Sequence, residues 1–420
     1  MKNKRFIKHV SVLGAGIMGS RIACHFAQCG FNVLLLDRKS EESNPNKLVE
    51  EALKTALNSN PSPIYEKSLA KRISTGNFED DLSQIKISDW IIEVIVEKLE
   101  PKVKLFEEVE KFRKKGSIVS SNTSGIPIHL LIENRSDDFK ENFAGTHFFN
   151  PPRYLKLLEI IPTNQTSSKV VSFLHDFGSK QLGKEVVICK DSPAFIANRI
   201  GVFSIQTLFH YLTTSELSVE EVDKLTGTLI GRPKSATFRT CDVVGLDTLV
   251  HVANGVYNSC EADEKREWFK LPPFIEHMVQ SEWLGDKTKQ GFYKKTKNEK
   301  GEKEILALDL KTLTYRTQKK IKIQSYESAK LLESLADRLK MFYSAQDEAG
   351  KFFRFNFNHL IAYCSFRLGE IADDPYSVDK ALRAGFGWEM GPFELWDCLG
   401  FENVVSQLKE SNINYAKWVD

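Results

Sequence analysis

Over the first 190 residues, short apolar runs of strand type alternate with segments whose apolar positions recur at helical spacing. Val10 to Leu13 reads as a strand, Ile17 to Gln28 as a helix, and Asn32 to Leu36 as a second strand ending in Asp37. Leu48 to Leu57 is helical, "NSNPSP" is a break, and a further helix ends near "SLAKRIS". "DWIIEVIV" reads as a strand ending at Glu97, and "KVKLFEEVEKFRKK" as an amphipathic helix stopped by Gly116. "SIVSSNTSG" is a strand leading into Asn122, Thr123 and Ser124. "AGTHFF" and "YLKLLEII" are two short runs around the turn Asn150-Pro151-Pro152-Arg153. This alternation predicts an α/β domain with a doubly wound parallel sheet, whose ligands lie beyond the carboxyl ends of the strands.

After Lys190 the pattern turns helical. "DSPAFIANRIGVFSIQTLFHYL" is expected to start a long helix at Asp191, Ser192 and Pro193. Further helices follow, and "LGDKTKQGFYKK" closes the unit. Residues 296–325 form a charged break whose middle, "ILALDLKTLTYR", suggests a small hairpin. A second helical unit over 326–420 repeats the first. "SVEEVDKLTG" is answered by "SVDKALRAG", and "ATFRTCDVVGLD" by "GPFELWDCLGFE". These pair Phe238 with Phe393, Asp242 with Asp397 and Gly245 with Gly400, while "ANRIGVF" and "FNHLIAY" set Asn198 opposite Asn358. The expected organisation is a dinucleotide-binding domain over 1–190, helical domains over 191–295 and 326–420, and a linker between them.

The chemistry begins at Gly14, Gly16 and Gly19, which lie between the first strand and the first helix. Their jobs are a tight turn, close approach to a pyrophosphate, and close contact of helix with strand. The free N–H groups of the helix start would face the phosphates. Asp37, at the end of the second strand, can accept from an adenosine ribose and would repel a 2′-phosphate. That favours NAD over NADP, although Arg38 and Lys39 follow directly.

In "GTHFFNPPRYLKLLEII" a glutamate interrupts an apolar strand, where a charge is expensive unless paired. If the turn folds the two runs together, Glu159 can meet His147. The plain alternative is a core histidine and an edge-strand carboxylate. Their position past a dinucleotide loop favours chemistry: a carboxylate bonded to imidazole fixes its tautomer and raises its basicity. Such a pair can take a hydroxyl proton while hydride leaves the same carbon.

Composition narrows the class. With 41% apolar and 27% charged residues and a formal charge of +2, the chain reads as a soluble protein. Its lysine-rich pieces are short and lack interleaved aromatics, so nucleic acid is not expected. Seven widely spaced cysteines indicate neither a disulfide framework nor a zinc site, which fits a reducing, cytoplasmic setting. No metal is expected, and no apolar run is long enough for membrane insertion.

The glycine fingerprint, "EVIVEKLEPKVKLF", "SNTSG", "GTHFFNPP", "LLEII" and "KDSPAFIANRI" occur in one order. Together they resemble the L-3-hydroxyacyl-CoA dehydrogenase family, in particular the dehydrogenase part of the larger bacterial fatty-acid oxidation proteins. The resemblance implies a Rossmann-type domain followed by all-α, duplicated C-terminal dehydrogenase domains. It implies His147 as catalytic base, Glu159 as its orienting carboxylate, and Ser124 and Asn198 near the substrate oxygen. It also implies NAD as cofactor, held by Gly14, Gly16, Ile17, Met18, Gly19, Asp37, Glu97, Lys102, Asn122 and Asn150. The substrate is then an (S)-3-hydroxyacyl-CoA oxidised to the 3-ketoacyl-CoA in β-oxidation. A dehydrogenase of a free hydroxy acid or sugar acid, and a non-catalytic NAD-binding scaffold, are the alternatives.

The first helical copy departs from the family's more common pattern. It reads "GRPKSATFR", whereas the second keeps the Met-Gly-Pro-Phe arrangement in "EMGPFE". The variant resembles the larger proteins that carry a hydratase. Association with hydratase or thiolase activities is therefore expected, but no hydratase activity is assigned to these residues. The terminal "SQLKESNINYAKWVD" is no obvious stop, which leaves room for a longer polypeptide. Two helical copies can cover internally the surface that single-copy members bury by dimerising, so a monomer is expected, with a homodimer as the alternative.

Overall fold

The computed structural model describes residues 5–420, which divide into two compact units after Phe195. In the first, eight strands form one sheet in the order β3-β2-β1-β4-β5-β6-β7-β8. They are β1 His9–Leu13, β2 Asn32–Asp37, β3 Ile73–Asn77, β4 Trp90–Glu93, β5 Ile118–Ser121, β6 Phe143–Phe148, β7 Leu157–Pro162 and β8 Glu185–Ile188. The helices are α1 Ile17–Gln28, α2 Lys47–Leu57, α3 Phe78–Asp81, α4 Leu99–Phe112, α5 Asp137–Glu141 and α6 Ser168–Lys180. Strand order reverses between β1 and β4, so the carboxyl ends of these two strands flank a crevice.

Both faces of the sheet are covered, which is why β4, β5 and β6 are buried along their whole length. Side chains alternate across the sheet. On β6, Phe148 packs against Phe26 of α1, while Phe143 packs edge-on against Phe106 of α4. Trp90 meets Phe26 edge-to-face with ring centres 5.3 Å apart, and its Nε1–H donates to Ser120 Oγ at 2.9 Å. A large aromatic is buried there without stranding its polar atom.

Five expectations about the elements need correction. The sheet is mixed rather than parallel: β7 runs antiparallel to β6, because residues 149–156 are too short for a crossover, and β8 then lies parallel to β7 by way of α6. β4 ends at Glu93, so Glu97 stands in the following loop. β3 follows a 3₁₀ turn at Lys67–Arg72 where only a helix end was expected. The helix α4 stops at Phe112, ahead of Gly116, because Arg113 is already extended. The long helix after Lys190 starts at Ala197, not at Asp191: Ala194 and Phe195 have φ of 63° and 51°, in the left-handed region that a right-handed helix excludes.

The second unit holds α7 Ala197–Leu212, α8 Val219–Leu225, α9 Phe238–Val244, α10 Leu246–Ser259 and α11 Pro273–Gln280. A three-stranded antiparallel sheet follows, β9 Tyr293–Lys297, β10 Lys303–Asp309 and β11 Thr314–Thr317, where a two-stranded hairpin was expected. Next come α12 Gln324–Ala329, α13 Leu335–Ser344, α14 Glu348–Arg367, α15 Pro375–Phe386, α16 Pro392–Leu399 and α17 Phe401–Glu410.

The segments around α9 and α16 share some local geometry. Asp223 accepts from the backbone N–H groups of Thr237, Phe238 and Arg239 at the start of α9, and Asp379 from those of Phe393 and Glu394 in α16. Gly245 and Gly400 end α9 and α16 with φ of 100° and 89°. Asp242 and Asp397 have diverged: the first accepts from Phe292 and Tyr293 N–H, while the second is exposed. Asn358 is buried and accepts from Tyr343 Oη at 2.6 Å, a packing role.

Where α7 packs against α14, a buried ion cluster joins the two helices. Arg199 donates to Asp263 at 2.6 Å and to Tyr363 Oη at 2.5 Å, and Tyr363 donates to Asp263 at 2.7 Å. Arg367 reaches Asp263 at 3.0 Å. Removing one member of such a cluster leaves a buried charge uncompensated. Asp263→Ala should therefore destabilise the second unit by about 3–5 kcal/mol. Urea unfolding followed by tryptophan fluorescence checks this, since all the tryptophans except Trp90 lie in that unit. A shift of only a few tenths would count against the cluster.

Candidate active site

The glycine loop is built by close backbone approach. Gly14 has φ of 109°, and a Cβ there would stand 2.6 Å from the Val94 carbonyl oxygen. A Cβ on Gly19 would meet the Gly14 carbonyl oxygen at 1.8 Å, so this helix start can reach the strand only without side chains. Gly16 faces open space, with no atom within 4 Å of its Cβ position, and Ile17 beside it is 70% exposed. No side chain caps α1 at Gly16, which leaves its first N–H groups directed at that space. The half-buried Met18 packs against the core under the loop.

Asp37 accepts from Ala15 N–H at 2.6 Å and Arg38 N–H at 2.7 Å, tying the end of β2 to the loop. Lys39 is engaged elsewhere: its ammonium pairs with Asp80 at 2.9 Å, and its N–H donates to Glu79. The acids at 79–81 therefore offset the cation that could have welcomed a 2′-phosphate. These residues suit an adenosine diphosphate with a free ribose.

At the other end of the sheet, His147 on β6 lies directly opposite Glu159 on β7. Opposed residues of an antiparallel pair share a face. His147 Nδ1 is 2.7 Å from Glu159 Oε2, and the glutamate is fully buried. The other imidazole nitrogen, Nε2, is 3.1 Å from Ser124 Oγ. With Nδ1–H donating to the carboxylate, Nε2 is left to exchange a proton. The rings of Phe149 and Phe195 lie 4.5 and 5.7 Å from the imidazole and wall it on apolar surface.

Glu97 organises the loop bearing Ser124. It accepts from Thr123 Oγ1, from Ser124 N–H at 2.8 Å and from Gly125 N–H at 3.3 Å. Burial acts to raise its pKa, but the Lys102 charge and these donors outweigh it, so the carboxyl is held below its usual range. Lys102 is itself buried, bridging Glu93 at 2.6 Å and Glu97 at 3.2 Å. Asn122 accepts from Phe148 N–H at 2.8 Å, and Asn150 from Arg21 at 2.5 Å. Asn198 stands in the second unit, half-buried on the first turn of α7.

Several organising residues escaped the sequence reading. Glu93 is fully buried, receives Lys102, and accepts from Ser121 Oγ and Ile95 N–H; burial nevertheless pushes its carboxyl up. It interrupts "DWIIEVIV" as Glu159 interrupts "LLEII", so the same signal could have found it. Asp191 accepts from Ile128 and His129 N–H instead of starting a helix. Lys184 donates to the carbonyls of Pro152 and Leu155 and so secures the turn after Asn150.

The comparisons with known proteins follow this geometry. The family description "3-hydroxyacyl-CoA dehydrogenase, NAD binding domain" matches residues 9–192, and "3-hydroxyacyl-CoA dehydrogenase, C-terminal domain" matches residues 195–295. A Bacillus subtilis protein named "Probable 3-hydroxyacyl-CoA dehydrogenase" is 45% identical over 99% of this chain and 54% of its own length. A Rickettsia felis protein named for a trifunctional enzyme of a fatty acid oxidation complex is 32% identical over 97% of this chain and 55% of its own length. The chain thus spans about half the length of these two relatives. Among solved structures, 3-hydroxybutyryl-CoA dehydrogenase of Escherichia coli K12 shares the fold with a TM-score of 0.73 at 20% identity, covering 99% of this chain and 98% of that one. Nucleotide loop, mixed sheet and helical unit define a two-unit protein with an NAD-binding domain. The chain belongs to the 3-hydroxyacyl-CoA dehydrogenase family.

Lys184 offers a test of the turn. Burial lowers its pKa from 10.5 to about 8. Between those values the unfolded chain binds more protons than the folded one, so stability rises with pH across that window. The contribution is full above 10.5 and lost as pH falls through 8. The difference in urea-unfolding free energy between the native chain and Lys184→Met should grow from pH 8 to 10.5. A flat difference would contradict a buried, depressed ammonium.

Proposed function

We propose that this chain oxidises a 3-hydroxyacyl-CoA to the 3-ketoacyl-CoA with NAD, with His147 as general base and Glu159 as the residue that orients it. The observation that carries the reading is the line Glu159–His147–Ser124, with 2.7 and 3.1 Å separations and a carboxylate closed to solvent. Bound NAD supplies the hydride acceptor. Glu159 fixes the Nδ1–H tautomer and stabilises the imidazolium, while Nε2 takes the proton from the C3 hydroxyl. Ser124 Oγ, on the same nitrogen, would hold the substrate oxygen in line as it becomes a carbonyl. Glu97 and Lys102 would keep the Ser124 loop in place beside the nicotinamide end. In the reverse direction the imidazolium returns its proton to that oxygen.

The reading extends to Asn198 as a further polar contact of the substrate, to a helical domain pair over 191–295 and 326–420, and to a monomeric, cytoplasmic protein. It also includes action alongside hydratase or thiolase activities. No helix among the described residues is long and apolar enough to cross a membrane.

NADH formation from 3-hydroxybutyryl-CoA should lose roughly 10²–10⁴-fold in kcat on His147→Gln. Glu159→Gln, which keeps volume but removes the charge that selects the tautomer, should fall by a similar order with little change in KM. Full turnover in either variant would remove that residue's assigned role. Faster turnover of a free hydroxy acid such as L-gulonate than of any acyl-CoA would favour the alternative substrate class. Absence of turnover with both, alongside NAD binding, would indicate a scaffold.

A further inference from the structure

The second unit contains a cleft of about 670 Å³ that the dehydrogenase reading does not use. It lies between α8, the loop before α9 and the strands β9 and β10. The stretch "GRPKSATFR", which departs from the common family pattern, contributes Lys234, Ser235 and Arg239.

The acids lining the cleft are already engaged. Asp286 forms a two-pronged pair with Arg239 at 2.6 and 2.8 Å. Asp223 accepts from three backbone N–H groups and from Tyr293 Oη at 2.8 Å. The Oε1 atom of Glu220 accepts from Arg316 and Lys319 N–H, each at 2.7 Å. Among the described residues, Lys224, Lys234 and Lys289 have no acidic partner, and Lys295 comes only to 4.0 Å from Asp286. The lining therefore carries uncompensated positive charge, a setting that collects anions.

Two further observations narrow the ligand. Tyr293 and the half-exposed Ile305 add apolar surface. The volume falls within the range of about 300–1,000 Å³ typical of small-molecule sites, well beyond a lone phosphate.

We propose that this cleft binds a phosphorylated nucleoside. Its phosphates meet Lys224, Lys234 and Lys289, and its flat portion lies on Tyr293 and Ile305. Such a ligand has two sources: the adenosine 3′,5′-bisphosphate end of a coenzyme A substrate, which rests on the activity proposed above, or a free nucleotide, which does not.

Titration calorimetry with adenosine 3′,5′-bisphosphate, at saturating NAD so that the glycine loop is occupied, tests the site directly. Saturable binding is expected, weakened at least tenfold in the double variant Lys234→Glu/Lys289→Glu and less in Lys224→Gln, with unchanged thermal unfolding. No binding to the native chain, or equal affinity in the double variant, would overturn the proposal whether or not the chain is a dehydrogenase. Kinetics then separate the sources. A higher KM for 3-hydroxybutyryl-CoA, but not for its pantetheine thioester, identifies the coenzyme tail. Unchanged KM for both, with bisphosphate binding lost, identifies a free nucleotide.

Discussion

A carboxylate closed to solvent must have a partner, and the arrangement of the first unit follows from that constraint. Glu159 has no exposure, and its partner is a histidine on the neighbouring strand. The pairing exists only in the observed register of β6 with β7, because a slip of one residue would turn either side chain to the other face. Phe148 and Thr146 hold that register from the opposite face. The first packs on α1, and the second bonds Ser120, which also receives the Trp90 indole. Core packing and site geometry are therefore one constraint seen from two sides of the sheet.

The same logic operates at the end of β4. Glu93 is sealed in the interior and receives Lys102 from α4, whose ammonium also reaches Glu97. Removing Lys102 alone would strand the buried Glu93 carboxylate. The result is a rigid support for the segment 121–125, and hence for the serine that faces the imidazole. Polar groups here are satisfied one by one, which favours a single arrangement over a loosely packed strand end.

What the sequence disclosed, and what it concealed, divides along physical lines. The glycine loop was legible because close backbone approach demands glycine at fixed spacing between a strand and a helix, and Gly14 and Gly19 meet that demand. The proximity of His147 and Glu159 was legible because an apolar strand seldom carries an unpaired charge. The antiparallel sense of β7 could have been inferred from the short link, but the helical and strand periods alone do not carry direction. Glu93 was hidden by proximity to Glu97: two acids in one run, with pattern alone assigning the strand end to the wrong one. The early start expected for α7 failed because Asp-Ser-Pro looks like a helix start, whereas Ala194 and Phe195 adopt left-handed backbone that no composition rule anticipates. The partners of Arg199 were beyond reach for a different reason: Asp263 and Tyr363 lie far away along the chain.

The segments around α9 and α16 share a local pattern, part of which folding holds in both and part of which it does not. In both, an aspartate caps the helix and a glycine ends it, because backbone N–H groups and a positive φ can be served by few residues. The later aspartates have parted: Asp242 secures the start of β9, while Asp397 faces solvent. The three-stranded sheet thus lies against the α9 segment, with the lysine-lined cleft beside "GRPKSATFR". The end of α14 and the turn after it supply Tyr363, Arg367 and Glu370 to the buried cluster around Arg199. Each side holds an ion pair of its own, Arg199 with Asp263 and Arg367 with Glu370, and the cross-contacts Arg199–Glu370 and Arg367–Asp263 fix how the two sides meet, because these buried charges find full compensation only in that arrangement.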